Sequence, residues 1–445
     1  MTRRGRLWFV LFLFALAGGG FLWFRAEGEP PVVRAPESLL LGAGGAQLTI
    51  EAEDARSGLR AIDVALALPG GEAPLLHQDY PGAHLRGGAA GVPQSVTVAI
   101  DPKQLGADGA EGFVRITARD WSLRGLLSGN ATVLEVPVRV DLSPPRVSVE
   151  TGLSYAQRGG AGVVVYSVSE PAVRDGVRVG DHFYPGYPWQ GRRAAFYALP
   201  TDAPAPLRPA VVAVDAAGNE GSAHWPVNVK ERTLHEATVN LPASFLEDKV
   251  PELARSQNVQ APDPTTAFQK INTEVRAANE KRIREIAAAT APERLWKGAF
   301  EQWANSQVTS RFAEHRTYLI GGQPVSQATH FGYDLATTAG APITAANAGR
   351  VLHASDLGIY GNCVIIDHGM GVVTLYGHLS SFAVKPGDAV AKGTVLGRSG
   401  NTGLAGGDHL HFAVLVGDAY VDPVEWWDEK WVREKIDAQL APPAP

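Results

Sequence analysis

The segment Gly406-Gly407-Asp408-His409-Leu410-His411-Phe412 sets two imidazoles two residues apart. On a β-strand such a pair projects from one face into one site, so one ring can hold a metal ion while the other works beside it. Upstream, Thr329-His330-Phe331-Gly332-Tyr333-Asp334 supplies another His and a carboxylate, and Tyr376-Gly377-His378-Leu379 a fourth imidazole. Together these residues can build a two-His, one-Asp metal site with an open position and two spare imidazoles. That is the donor set of a catalytic zinc centre; a structural zinc site fills all four positions with protein ligands. Zinc held in this way lowers the pKa of a bound water toward about 7 and polarises a carbonyl, so the chemistry on offer is amide hydrolysis. The chain contains no His-Glu-x-x-His motif that would bring a Glu as base. The proton work therefore falls to imidazole, whose ordinary pKa of about 6.5 lets it accept and return a proton near neutral pH.

A lone histidine is more often a surface or core residue than a ligand, and His77, His84, His182, His224 and His235 have no partners of this kind. His330, His378, His409 and His411 differ in their setting. Their elements lie in one stretch, from about 308 to 424, where short apolar alternations are punctuated by Gly361, Gly369, Gly377, Gly387, Gly393, Gly400 and Gly403. This is the rhythm of tight antiparallel hairpins, and small residues around the site would let an extended peptide approach a metal closely. Asp367 and His368 end the apolar run 363–366 before a glycine turn and read as strand-end hydrogen-bonding residues.

Several runs in this stretch stand in a specific order: His330-Phe331-Gly332-Tyr333-Asp334, Pro342-Ile343-Thr344-Ala345-Ala346, Tyr360-Gly361-Asn362-Cys363-Val364, Tyr376-Gly377-His378-Leu379, Lys385-Pro386-Gly387-Asp388 and Gly400-Asn401-Thr402-Gly403, then the His-x-His. In this the chain resembles the catalytic domain of the lysostaphin/LytM-type zinc metallopeptidases, the peptidoglycan endopeptidases, over roughly residues 296–427. The resemblance implies an antiparallel-β peptidase fold, a Zn2+ cofactor held by His330, Asp334 and His411, and a catalytic pair, His378 and His409, outside the ligand set. We expect His409 to help deprotonate the water and His378 to stabilise the oxyanion or protonate the leaving amine, with exchanged roles as the alternative. The sequence departs from the family at 404–408, where a Ser-Thr-Gly-Pro run is more usual, and this affects loop shape.

The other end of the chain indicates location. Thr2-Arg3-Arg4-Gly5-Arg6 is a positive flank, and residues 7–24 are eighteen positions without a charge. At 1.5 Å per residue they extend about 27 Å, close to a bilayer core. The Arg cluster before this run and Glu27 and Glu29 after it orient the rest of the chain outward. We read a retained single-pass anchor; Ala15-Leu16-Ala17 offers the alternative of a cleaved signal sequence. The net charge of −6 over 445 residues, with no dense basic patch, argues against nucleic acid as a partner. The single Cys363 excludes an intrachain disulfide.

Residues 31–142 and 143–230 read as two β-sandwiches resembling immunoglobulin-like modules. The candidate strands 47–52, 62–68, 95–100, 113–118 and 133–140 alternate as one buried face requires. A weak repeat pairs Asp120 with Asp215, each ending a strand ahead of a Gly-Asn. Residues 231–292 are a helical linker or insert, with Phe268, Ile271, Val275 and Ala278 at helical spacing behind Pro264. It is either an ordinary packed helix or a lid over the metal groove. The peptidase domain spans 293–428, with a closing helix at 426–438 and a tail, 429–445, frayed at its end. The fold class is therefore mainly β and multidomain. The expected function is a zinc endopeptidase acting on peptidoglycan cross-links or stem peptides, single-pass in the inner membrane with its bulk periplasmic, and with an envelope regulator protein as a further partner. The alternative is an inactive relative that activates a cell-wall amidase. Such relatives lose ligands, whereas the donor set here is complete.

Overall fold

The computed structural model describes residues 3–101 and 106–442, and the chain is mainly β. It divides into two compact units, residues 1–145 with 214–220, and residues 146–213 with 221–445.

The first unit opens with the helix Arg3–Arg25, whose apolar positions from Leu7 to Phe24 are exposed. Behind it two sheets share one core. The three-stranded sheet is ordered Val32–Arg34, Ala46–Glu53, Gln94–Ile100; the five-stranded sheet is ordered Leu39–Leu41, Ala131–Val140, Glu111–Asp120, Leu59–Leu68, Gly71–Asp79. Alternation decides which side chains meet: Leu48, Ile50 and Val98 from one sheet pack on Ile62, Val64, Val114 and Ile116 from the other, all buried. The expected repeat has a concrete form. Asp120 Oδ1 and Oδ2 accept from Asn130 N and Nδ2, both at 2.7 Å, and Asp215 does the same with Asn219 N and Nδ2 at 2.9 Å. Each pair closes the turn that its strand runs into.

In the second unit, two four-stranded sheets come first, with Ala161–Val168 and Arg192–Ala198 at the centre of one and Arg174–Val179 and Ala210–Val214 at the centre of the other. Next comes Glu236–Asn240, a strand inside the segment read as helical, which pairs in parallel with Glu314–Ile320. Helices follow: Val250–Ser256, then Pro264–Lys270, the wide turn Ile271–Val275 and Arg276–Ala287. Asp263 caps the second run, its carboxylate accepting Thr266 N at 2.9 Å, with Pro264 in the first turn.

The main sheet of this unit has eight strands, ordered Gln307–Ser310, Tyr333–Ala336, Leu410–Val416, Val372–Leu379, Asn362–Asp367, Gly349–Asp356 and Ala389–Val390, with Ala419–Val421 also on Leu410–Val416. Its central strands are apolar on both faces because both are covered. One hydrophobic core runs from the sandwich strands through the helices into this sheet. Phe196, Trp296, Phe300 and Trp426 form its aromatic centre, with ring centroids 5.0–6.2 Å apart where they touch. The end of the chain closes as short helical turns from Pro423 to Leu440 that bury Val432, Ile436 and Leu440; positions 443–445 of the expected frayed end lie outside the described residues.

Candidate metal centre

Strand register creates the site. In the antiparallel pair formed by Tyr333–Ala336 and Leu410–Val416, Asp334 lies directly opposite His411, and on its other flank His411 lies opposite Gly377. A methyl group on Gly332 would sit 2.6 Å from His411 Cε1 and 2.7 Å from its Nε2, so that small residue leaves the imidazole its room. His330 ends the strand Gln323–His330 and reaches the same point from the neighbouring hairpin.

Three lone-pair donors converge there. His330 Nε2, His411 Nδ1 and Asp334 Oδ1 are mutually 3.0 Å apart, and all three residues are buried. Ligand atoms on one tetrahedral zinc, about 2.0–2.1 Å from the metal, stand about 3.3 Å apart, so the cluster has the spacing such an ion requires. His330 Nδ1 faces Arg311 O at 2.9 Å, which fixes that nitrogen as the donor and turns the Nε2 lone pair inward. Asp334 offers one oxygen to the cluster because the other is taken: Arg316 Nη2 donates to Oδ2 at 3.0 Å. Burial raises the Asp334 carboxyl, but His330 and His411 outweigh it and hold the group well below the usual carboxylate range. Burial pushes His411 down to about 4, so its ring is neutral and its lone pair free at neutral pH. Among the described residues, His411 Nε2 is buried without a partner.

The other two imidazoles stand beside this cluster. His378 follows Gly377 at φ 66°, a left-handed conformation uncommon for a non-glycine, and there the backbone leaves the strand's alternation. Its Nδ1 donates to Thr402 O at 2.8 Å, and His409 Nδ1 donates to Gly407 O at 2.8 Å. The two rings lie 4.7 Å apart, and His409 Nε2 is 3.6 Å from Asp334 Oδ1. Burial, with His409 and His411 adding to it, holds His378 well below the ordinary histidine range. Both rings thus keep Nε2 available beside the convergent donors.

These five residues line a cavity of about 610 Å3. The segment ahead of the main sheet lines it too, through Leu241, Phe245, Phe268 and Arg276, together with Arg316 and Tyr318 from the strand Glu314–Ile320. The five histidines set aside above are not among the lining residues. Asp367 is a strand-end acceptor, taking Thr290 Oγ1 at 2.7 Å and Ala291 N at 2.8 Å, while His368 is buried between Ala348 O and Thr374 Oγ1. Residue reasoning overlooked Arg316, Tyr360 and Arg276. Period-two alternation could have found the first, since Glu314, Arg316 and Tyr318 share one face of their strand. Tyr360, 5.4 Å from the His411 ring, donates its hydroxyl to Glu280 at 2.6 Å, a pairing across eighty positions that leaves no local signal.

Comparison with known proteins bears on the same stretch. Peptidoglycan DD-endopeptidase ShyB of Vibrio cholerae serotype O1 is 36% identical over 122 residues, covering 27% of this chain and 28% of that protein. DD-carboxypeptidase/endopeptidase Mpg of Neisseria meningitidis serogroup B is 41% identical over 95 residues, covering 21% of this chain and 22% of Mpg. The chain thus spans about a quarter of the length of the curated relatives it matches. Among solved structures, the catalytic domain of lysostaphin from Staphylococcus simulans is 27% identical with a TM-score of 0.24, over 28% of this chain and 92% of that one. The model of Peptidase family M23 matches residues 328–423, the stretch holding all five clustered side chains, and this part of the chain is an M23 peptidase domain.

Proposed function

We propose that the protein is a zinc-dependent endopeptidase that hydrolyses peptide bonds in peptidoglycan cross-links or stem peptides. The observation that carries this reading is the mutual 3.0 Å convergence of His330 Nε2, His411 Nδ1 and Asp334 Oδ1 at the floor of a cavity. These three residues would hold the metal, and a bound zinc supplies an acidified water and a polarised carbonyl. The remaining work belongs to the chain. His409 and His378 have their Nδ1 protons committed to backbone carbonyls, which leaves Nε2 of each to take a proton from the attacking water or return one to the leaving amine. The His378 Nε2 lone pair is available because burial disfavours the charged ring and holds that group well below the ordinary histidine range. The names of the relatives, peptidoglycan DD-endopeptidase and DD-carboxypeptidase/endopeptidase, support peptidoglycan as substrate.

We read residues 7–24 as a membrane anchor. The helix segment Leu7–Arg25 has a mean hydropathy of 2.1 and is unburied. Its end is built into the folded unit: Arg25 Nη2 donates to Trp121 O at 2.9 Å, and Ser57 Oγ to Glu27 Oε1 at 3.0 Å. The length and hydropathy of the segment support our reading of a retained anchor in an inner membrane with the bulk periplasmic; the contacts of Arg25 and Glu27 would persist whether or not the chain is cut after Ala17.

The test pairs metal content with activity. His330→Ala, Asp334→Ala and His411→Ala should each release or greatly weaken zinc. His378→Ala and His409→Ala should retain near-stoichiometric zinc yet lose about 10²–10⁴-fold in rate on purified peptidoglycan, with products identified by mass. Zinc-loaded wild-type protein that leaves peptidoglycan intact would overturn the reading.

A further inference from the structure

The cavity beside the clustered histidines is lined by three cationic side chains, and two of them have acidic partners. Arg316 is held by Asp334 at 3.0 Å and by Glu314 at 3.4 Å, and Lys249 lies 3.6 Å from Glu252. Arg276 differs. Among the described residues it has no carboxylate within ion-pair distance, yet its guanidinium is held in place. Its Nη2 donates to Asn272 Oδ1 at 2.8 Å and its Nε to the same oxygen at 3.3 Å. Asn272 is itself locked, 1% exposed, with Nδ2 donating to Ser326 Oγ at 2.7 Å and to Gln327 O at 3.2 Å. Those two acceptors require the amide nitrogen to face the strand Gln323–His330 and the amide oxygen to face Arg276. A relay therefore runs from the strand that ends in His330, through a buried amide, to a half-buried guanidinium on the wall of the same cavity.

An anchored guanidinium with unused N–H groups and, among the described residues, no carboxylate within ion-pair distance is suited to a planar anion, and the anion a peptide brings is a carboxylate. Asn272 ties the helix to the strand Gln323–His330 and at the same time fixes the direction of the Arg276 guanidinium. We propose that Arg276 is a specificity-determining residue that binds a free carboxylate of the substrate next to the scissile bond. The favoured substrate class is then peptides whose leaving amine carries a carboxylate on the same carbon, as a cross-link through a diamino dicarboxylic acid does. Neutral bridges are disfavoured. This inference rests on the endopeptidase reading and deepens it.

The experiment uses the full zinc-loaded chain in detergent and two synthetic cross-link peptides. They are identical except that the carboxylate beside the scissile bond is free in one and a carboxamide in the other. Ketomethylene analogues of both, which cannot be hydrolysed, give binding constants separately from turnover. A charged hydrogen bond of this kind corresponds to a preference for the acid of about 10–100-fold in kcat/KM and in binding. Arg276→Met should erase that preference by weakening the acid alone, with zinc content unchanged, and Arg276→Lys should restore part of it. Equal use of the two peptides by wild type, or a preference that survives Arg276→Met, would overturn the proposal. If neither peptide nor peptidoglycan is cleaved while the acid analogue still binds in preference, the endopeptidase reading fails and the carboxylate site stands. Cleavage without acid preference does the reverse: the carboxylate site fails and the endopeptidase reading stands.

Discussion

Replacing Trp426 by Ala probes whether the sandwich at 146–230 and the peptidase sheet unfold as one body. The side chain is fully buried, and its ring meets Trp296 at 5.5 Å, Phe300 at 5.4 Å, Trp431 at 5.6 Å and Phe196 at 6.2 Å. Phe196 belongs to a sandwich strand, whereas Phe300 packs on His368 at the end of a peptidase strand. Truncating a buried Trp costs about 3–5 kcal/mol. Here the indole N–H has no partner among the described residues, so removing it also relieves an unsatisfied donor worth about 1–3 kcal/mol, and the low end, about 3 kcal/mol, is the expectation. For a unit of this size that is a fall in Tm of about 5–10 °C. Calorimetry on the zinc-loaded protein should show the transition of the second unit moving down as a whole. Loss of peptidase activity and loss of tertiary signal from the sandwich aromatics should coincide on heating. Two separated transitions, only one of them displaced, would refute the single-core reasoning.

Three other outcomes are expected. Glu425 accepts Ala161 N at 2.9 Å, and burial pushes its carboxyl up to about 8. Because the folded value lies above the unfolded one, its destabilising effect is absent below the unfolded pKa, grows as pH rises toward about 8, and is constant beyond. Glu425→Gln should therefore melt with wild type near pH 4 and above it at pH 8.5, and equal melting at both would refute this. A fragment starting at Pro292 loses the partners of its core, among them Phe268, Ile271 and Ile283, all buried. It should aggregate or melt far below the full chain, and a soluble fragment that cleaves faster would instead reveal a detachable lid. If the helix at Leu7–Arg25 is a retained anchor, the mature protein should pellet with membranes, resist salt extraction and keep its N-terminal residues. A soluble form beginning at Gly18 would contradict it.

What the sequence disclosed and what it hid follow from the range of each signal. The spacing of His409 and His411 is a local, period-two feature, and it places both rings at one site beside Asp334 and His330. Helical spacing around Phe268 and the Pro264 ahead of it were likewise readable, and the helix is there. The strand Glu236–Asn240 was not: five residues paired in parallel with a partner almost eighty positions away carry little alternation of their own. Arg276 looked like one more charge on an Ala- and Glu-rich helix. Its place on the cavity wall depends on Asn272 meeting Ser326 across 54 positions, which no local pattern encodes. The same limit hid the continuity of the core, because Phe196 and Trp426 meet only after the chain has closed a loop of more than two hundred residues.

The cavity wall also bears on transplanting the proposed specificity. The stretch that matches the peptidase family, 328–423, carries the candidate metal donors and both spare imidazoles, but Phe245, Phe268, Arg276 and Arg316 come from outside it. A chimera exchanged at those homology limits would carry a complete catalytic floor beneath a foreign ceiling. Its turnover chemistry could survive while its choice of peptide followed the host. The portable unit is the one that the hydrogen bonds define, and its upstream edge lies at the strand Glu236–Asn240, nearly a hundred residues before the family match begins.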